Sequence, residues 1–211
     1  MAAKVTVKML PARESLATNL TALQTDNDPE EAIFNFTFAE RTTMIGAAKA
    51  VLYMSCPDHD DLDVFTQLRK VDRRQQTLQN INIPLHHLGL GSEEEVESIN
   101  TLKYLGPTGV LRASHRALDI SLSKPHWPAH DHSRVSPVPP GSIVRLEIGL
   151  WPTAMQFQAG EGFMLKVVGH HMTLAKFVPL RGRFENGNKG RHYVHFGGDF
   201  PSHIMIPTVA L

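Results

Sequence analysis

The sequence has no stretch approaching the roughly 20 apolar residues that cross a bilayer as a helix. Its opening, MAAKVTVKML, holds two lysines but no apolar run of signal-peptide length. A soluble, cytoplasmic protein with no membrane partner is the expectation. Charge of one sign is also missing: Lys and Arg total 21, Asp and Glu total 21, and the formal net charge is +0. No basic field exists to neutralise a phosphate backbone, so no nucleic-acid partner is expected. Cysteine is nearly absent. The one thiol, Cys56, cannot close an internal disulfide, which agrees with a reducing compartment. Ending the run AAKAVLYMSC just before Pro57, it reads as a small hydrophobe at a strand end rather than a nucleophile. Two N-x-T sequons, at Asn19 and Asn35, have no weight without a secretory signal.

Catalytic signatures are missing too. There is no G-x-S-x-G turn to present a serine, no G-x-G-x-x-G, no P-loop and no paired C-x-x-C. No catalytic residue is assignable, and no cofactor is expected. Twelve histidines are the remaining lead, grouped as His86/His87, His130/His132, His170/His171 and His192/His195. Adjacent residues on a strand face opposite ways and chelate badly, whereas His130 and His132 would share a face if that segment were extended. With no Cys or carboxylate at a ligand spacing, no metal site is expected. Histidines hydrogen-bonded to backbone carbonyls are the favoured account.

What is present is strand. At 211 residues and 42% hydrophobic, the chain suits a single domain with a sizeable core. AIFNFTF (32–38) sets Phe34, Phe36 and Phe38 against Asn35 and Thr37, and TMIGAAKAVLYMS reads as one long β segment with Gly46 as a bend or bulge. DVFTQLRKVD (63–72), SIVRLEIGLW (142–151), GFMLKVVGHH (162–171), RHYVHFGG (191–198) and SHIMIPTVAL (202–211) are short, β-rich and bounded by turn residues. Alternation is nearly strict in SIVRLEIGLW and GFMLKVVGHH; Val144, Leu146, Ile148 and Leu150 point one way, Arg145, Glu147 and Gly149 the other. Pro152 is expected to interrupt the strand after Trp151. Two packed antiparallel sheets follow. Helix is limited to one or two short pieces: SEEEVES (92–98), with Ser92 as N-cap of a capping box, and a turn in RASHRALD (112–119). Between Lys124 and Gly141 five prolines exclude both sheet and helix, so this stretch is a surface loop, packed down by Trp127 or functional.

Several of these segments together resemble a known family. DDLDVFTQLRKVD (60–72), LGPTGVLRASHRALD (105–119), KPHWPAHDH (124–132), PPGSIVRLEIGLWPTAMQFQAGEGFMLKVVGHH (139–171) and HFGGDFPSHIMIPTV (195–209) are similar, in order and spacing, to the C-terminal non-catalytic domain of the X-Pro dipeptidyl-peptidase and cocaine esterase family of serine hydrolases. The likeness runs from about Asp28 onward. It implies an all-β jelly-roll β-sandwich of the galactose-binding-like type, with residues 1–27 as an N-terminal strand and lead-in and 28–211 as the sandwich. It also implies that the family's Ser, Asp and His lie in a preceding α/β-hydrolase domain, which would have ended where this sequence begins. His115 is therefore not a triad histidine.

Asp61 and Asp63, with Leu62 and Phe65, match the family's acidic segment, and Arg112, Ser114, His115 and Arg116 match its RASHR segment. A carboxylate of the first group accepting charge-assisted hydrogen bonds from the second would tie a loop to the sandwich. The competing expectation is a pocket formed by Asp63, Arg112, His115, Trp127, Trp151 and His170. Trp151 is expected as a core or interface anchor, and as a ligand platform only if it stands exposed beside His170.

Two functions are weighed first. One is an accessory interaction module that forms a homo-oligomer or docks on a separately encoded hydrolase. The other is a small non-hydrolytic enzyme, a cyclase, isomerase or cycloaddition catalyst, that orients an apolar small molecule in the cleft left by the missing domain. A sugar-binding module rests on fold analogy alone. A domain cut from a longer hydrolase is the remaining reading.

Overall fold

A computed structural model describes residues 3–8, 13–17, 32–81, 83–96, 103–170, 172 and 187–210, with residues 3–8, 13–17 and 103 described through the backbone alone. In chain order the strands are β1 (Ala3–Lys8), β2 (Arg13–Ala17), β3 (Ala32–Thr37), β4 (Thr42–Ser55), β5 (Asp63–Val71) and β6 (Asn80–Ile81). They continue with β7 (Lys103–Tyr104), β8 (Thr108–Arg112), β9 (Val144–Phe157), β10 (Gly162–Val168), β11 (Arg191–His195) and β12 (His203–Val209). The fold is an all-β, jelly-roll-like sandwich of antiparallel sheets. Among the described residues the only helical pieces are three 3₁₀ turns, Leu85–Leu88, Glu93–Glu95 and Ala113–His115.

One sheet is organised around β4. Its apolar and β-branched residues favour extended backbone, and β9 pairs with it from Thr42↔Phe157 to Met54↔Val144. That occupies one edge for almost the full length of β4. The other edge is shared end to end, by β12 alongside Thr43–Val51 and by β11 alongside Tyr53–Ser55. β1 adds to β12, and β2 to β11. The second sheet runs β3-β10-β5-β8, and β6 pairs with β7 in a small ribbon.

The two sheets bury a shared core in which Ala48, Ala50, Leu52 and Met54 of β4 and Leu146, Ile148 and Leu150 of β9 meet Val64, Leu68, Leu165 and Val167. At one end, Phe36, Phe38, Phe157 and Phe163 close it, with Phe38 and Phe157 ring centroids 4.7 Å apart. Cys56 is buried and free, as its apolar context predicts.

Three local expectations need correction. Pro152 does not interrupt β9. Between the pairs Gly46↔Thr153 and Ala48↔Leu150 the strand β4 advances two residues and β9 three, a β-bulge that absorbs the missing proline N–H while the strand continues to Phe157. The extra residue shifts the inward set from even to odd numbers, so Leu146, Ile148 and Leu150 are followed by Met155 and Phe157 against the core. Strand β10 is not half-buried: all of Gly162–Val168 is buried, including Lys166, so both its faces are covered. Finally, Ser92 makes no side-chain cap; its segment shortens to one 3₁₀ turn, and Glu95 accepts the Gly91 N–H instead.

Glycine is required where backbones nearly touch. Gly106 has φ +127, and a Cβ there would lie 1.9 Å from the Leu68 carbonyl oxygen. Gly141 has φ +79 with nothing within 4 Å of such a Cβ. Gly106→Ala is expected to cost on the order of 3 kcal/mol, and Gly141→Ala only the backbone strain of about 1 kcal/mol. Urea denaturation midpoints of the two variants check this; equal losses would contradict it.

Candidate functional site

The acidic stretch before β5 and the turn after β8 come together as a hydrogen-bonded lattice. Asp63 and Arg112 lie directly opposite in the β5–β8 ladder. Arg112 donates from Nε to Asp63 Oδ1 at 2.7 Å and from Nη2 to Oδ2 at 2.9 Å, the bidentate fork that suits a guanidinium. Asp61 Oδ1 accepts the N–H groups of Leu62 and Ser114, each at 2.9 Å, pinning the 3₁₀ turn Ala113–His115. Arg116 donates to the carbonyls of Ala113 and Ser136. Backbone N–H groups of Ser136 and Val138 donate to Ser114 and Asp60 carbonyls, so the proline-rich loop is held against the same lattice.

Asn188 completes it. Its buried side chain accepts the Asp63 N–H at 2.6 Å and donates to the carbonyls of Asp63 and Gly169, imitating a strand neighbour. The Gly187 N–H donates to Asp63 Oδ2 at 3.2 Å. Burial opposes ionisation of Asp63, but the hydrogen bonds from Arg112 and Gly187 and the Arg112 charge outweigh it and hold the carboxyl below the usual range.

His192 sits beside this lattice with 0% exposure, and neither ring nitrogen has a hydrogen-bond partner among the described residues. Burial pushes its pKa down to about 4; the nearby Asp63 charge opposes the shift and His59 adds to it. It is a neutral imidazole at pH 7. The alternation of RHYVH, in which His192 and Val194 are buried and Arg191 is exposed, is the signal that marks it as inward.

The other histidines fall elsewhere. His115 lies 5.5 Å, ring to ring, from His132, and His132 lies 6.2 Å from His130. His130 bridges to Leu118 and places Nε2 3.0 Å from the Glu147 carbonyl oxygen, a backbone hydrogen bond of the expected kind. Among the described residues no three His, Cys, Asp or Glu side chains gather as metal ligands. Ser55 Oγ and His195 Nε2 stand 2.8 Å apart, but Ser55 is buried on a strand rather than presented at a turn. His170 is buried, and His171 lies outside the described residues.

Trp127 and Trp151 belong to a different place. Trp151 is 67% exposed, which excludes a core role. It stands 6.5 Å from Trp127, centroid to centroid, beside an apolar cavity of about 540 Å³ that neither His115 nor His170 lines. A platform pairing Trp151 with His170 is therefore not formed. Of the six residues considered for a pocket, the structure joins Asp63 to Arg112 and Trp127 to Trp151, in two different places.

The family pattern described as the X-Pro dipeptidyl-peptidase C-terminal non-catalytic domain matches residues 7–205. The chain belongs to this family. No curated protein matches it. Among solved structures, a CocE/NonD family hydrolase from Staphylococcus aureus is similar with a TM-score of 0.76 and 25% identity, over 99% of this chain and 37% of that one. An aminopeptidase from a marine sediment archaeon, Thaumarchaeota archaeon, shares the fold at TM-score 0.54 and 14% identity, over 88% of this chain and 27% of the other. An α-amino acid ester hydrolase does so at TM-score 0.53 and 15% identity, over 87% and 26%. The chain thus spans little more than a third of the hydrolase it matches first.

Two outcomes test the lattice. Arg112→Met leaves the Asp63 carboxylate without its fork and is expected to cost about 2 kcal/mol in urea unfolding, a half-exposed arginine being worth less than a fully buried one. A loss no larger than that of Arg145→Met would make the pair ornamental. For His192 the folded pKa of about 4 lies below the ordinary 6.5, so the unfolded chain binds the extra proton between those values. Its contribution is complete above pH 6.5 and falls by at most about 3 kcal/mol as the pH drops toward 4. His192→Leu should flatten the stability profile over that interval, as read by thermal melts at stepped pH.

Proposed function

We propose that this chain is an accessory β-sandwich that works beside an α/β-hydrolase body and contains no Ser-His-Asp relay of its own. The observation behind this reading is the family match over residues 7–205, supported by a hydrolase relative of which the sandwich corresponds to 37%. The lattice around Asp63 and Arg112 fits a scaffolding role, since its hydrogen bonds among the described residues join parts of the sandwich to one another. A separately encoded hydrolase is the partner this reading favours.

The nearest thing to a nucleophile, Ser55 with His195, is treated as a structural hydrogen bond. The expected result is that the chain alone hydrolyses p-nitrophenyl acetate and an X-Pro p-nitroanilide no faster than buffer. Turnover abolished by Ser55→Ala would overturn the reading. A chimera in which this chain replaces the matching third of the S. aureus hydrolase is expected to be more active and more heat-resistant than the same body without it; equal behaviour would remove the accessory role.

A second reading, an orientation catalyst for an apolar metabolite, is favoured by the cavity at Trp151, where His126 is the titratable wall residue among those described and is available for proton transfer.

A further inference from the structure

Strand β4 departs from regular pairing on both edges at the same level. Toward β9 the bulge holds Trp151 and Pro152. Toward β12, between the pairs Met44↔Thr208 and Lys49↔Met205, β4 advances five residues and β12 three, with Pro207 inside the gap. Two prolines that cannot donate to β4 therefore flank it, and Gly46, at φ +125, provides the local backbone turn. A side chain there would press on Pro207, its Cβ 3.2 Å from Pro207 Cγ. The result is a depression in the outer face of the sheet, with Gly46 and Ala47 in its lining.

Trp127 forms the facing wall. The proline-rich loop brings it across β9 because residue 149 is glycine; a Cβ at Gly149 would lie 3.1 Å from the Trp127 ring. Trp127 and Trp151 meet at 57°, too tilted to stack on each other. They make a corner in which a flat ring can lie against one indole while its edge meets the other. The volume of about 540 Å³ falls within the range of small-molecule sites. Among the described residues no Lys, Arg, Asp or Glu lines the cavity, and His126 is the one polar side chain of that lining outside the indoles. A charged or strongly hydroxylated ligand would lose its hydration there without replacement.

We propose that this corner binds a small, neutral, ring-containing apolar molecule, held between Trp127 and Trp151 over the β4 bulge. The site is independent of the accessory role and of the Asp63–Arg112 lattice. A partner protein covering the same face is the competing occupant, but a concavity of about 540 Å³ walled by a folded-over loop is sized for a small molecule.

The chain's only two tryptophans are these two, so its intrinsic fluorescence reports on the site alone. Titration with N-phenyl-1-naphthylamine, a neutral apolar fluorophore that accepts energy from indole, is expected to quench tryptophan emission saturably at one probe per chain. Ala47→Phe, which fills the cavity and keeps both indoles, and Trp151→Ala, which opens the corner, should each weaken binding about tenfold or more with little change in melting temperature. Non-saturable quenching, or binding unchanged by both variants, overturns the proposal. So does light scattering that shows a dimer dissociated by Trp151→Ala, since a second copy would then fill the corner. If both variants fail to fold, failure of the probe to protect Trp127 and Trp151 of the native chain from N-bromosuccinimide oxidation overturns it equally.

Discussion

Everything in this sandwich hangs on β4, a strand of fourteen residues with partners on both edges. A strand paired on one edge can slip; one held by β9 on one side and by β12 and β11 in succession on the other has its register set from three directions. The constraint has a cost. Pro152 and Pro207 cannot donate to such a ladder, and the strand accommodates them by bulging against both neighbours at one level. The bulge in β9 then decides which residues reach the core, since it hands the inward positions from Leu150 to Met155 and Phe157.

The Asp63 lattice solves a different problem, that of holding loops distant in sequence against one end of the second sheet. Residues near 61, 114, 136 and 188 converge on it. Its central ion pair sits directly across a ladder, where a charge-assisted fork replaces the side-chain packing a cross-strand pair would otherwise supply. Asn188 stands in for strand backbone at this end, while Ser114 Oγ, His115 Nδ1 and both ring nitrogens of His192 are buried with no hydrogen-bond partner among the described residues.

Much of this was legible in the sequence. Alternation identified β3 and the first half of β9, and Gly46 announced an irregularity in β4. The ionic tie between Asp63 and Arg112 followed from complementary charges in segments that resemble a known family. The rest was hidden for physical reasons. Proline inside an apolar run reads as a strand end unless a bulge can be foreseen, and bulges depend on the partner strand. Lys166 in β10 looks like an outward residue, and only the covering of both faces shows otherwise. Asn188 is one amide among polar turn residues; its importance arises because the fold brings it against the Asp63 N–H and the carbonyls of Asp63 and Gly169. Of the two roles expected for Trp151, core or interface anchor, its exposure removes the first, because hydrophobicity predicts burial on average and says nothing of a single ring left at the mouth of a hollow.

The outermost strand of the larger sheet joins segments far apart in sequence: β1 lies along β12, with Ala3 opposite Thr208. This seam can zip only once the intervening strands have found their places. It also brings the first and twelfth strands to one corner of the sandwich. Cutting a surface turn and splicing those two strands through a short linker would yield a circularly permuted sandwich with the same topology of contacts.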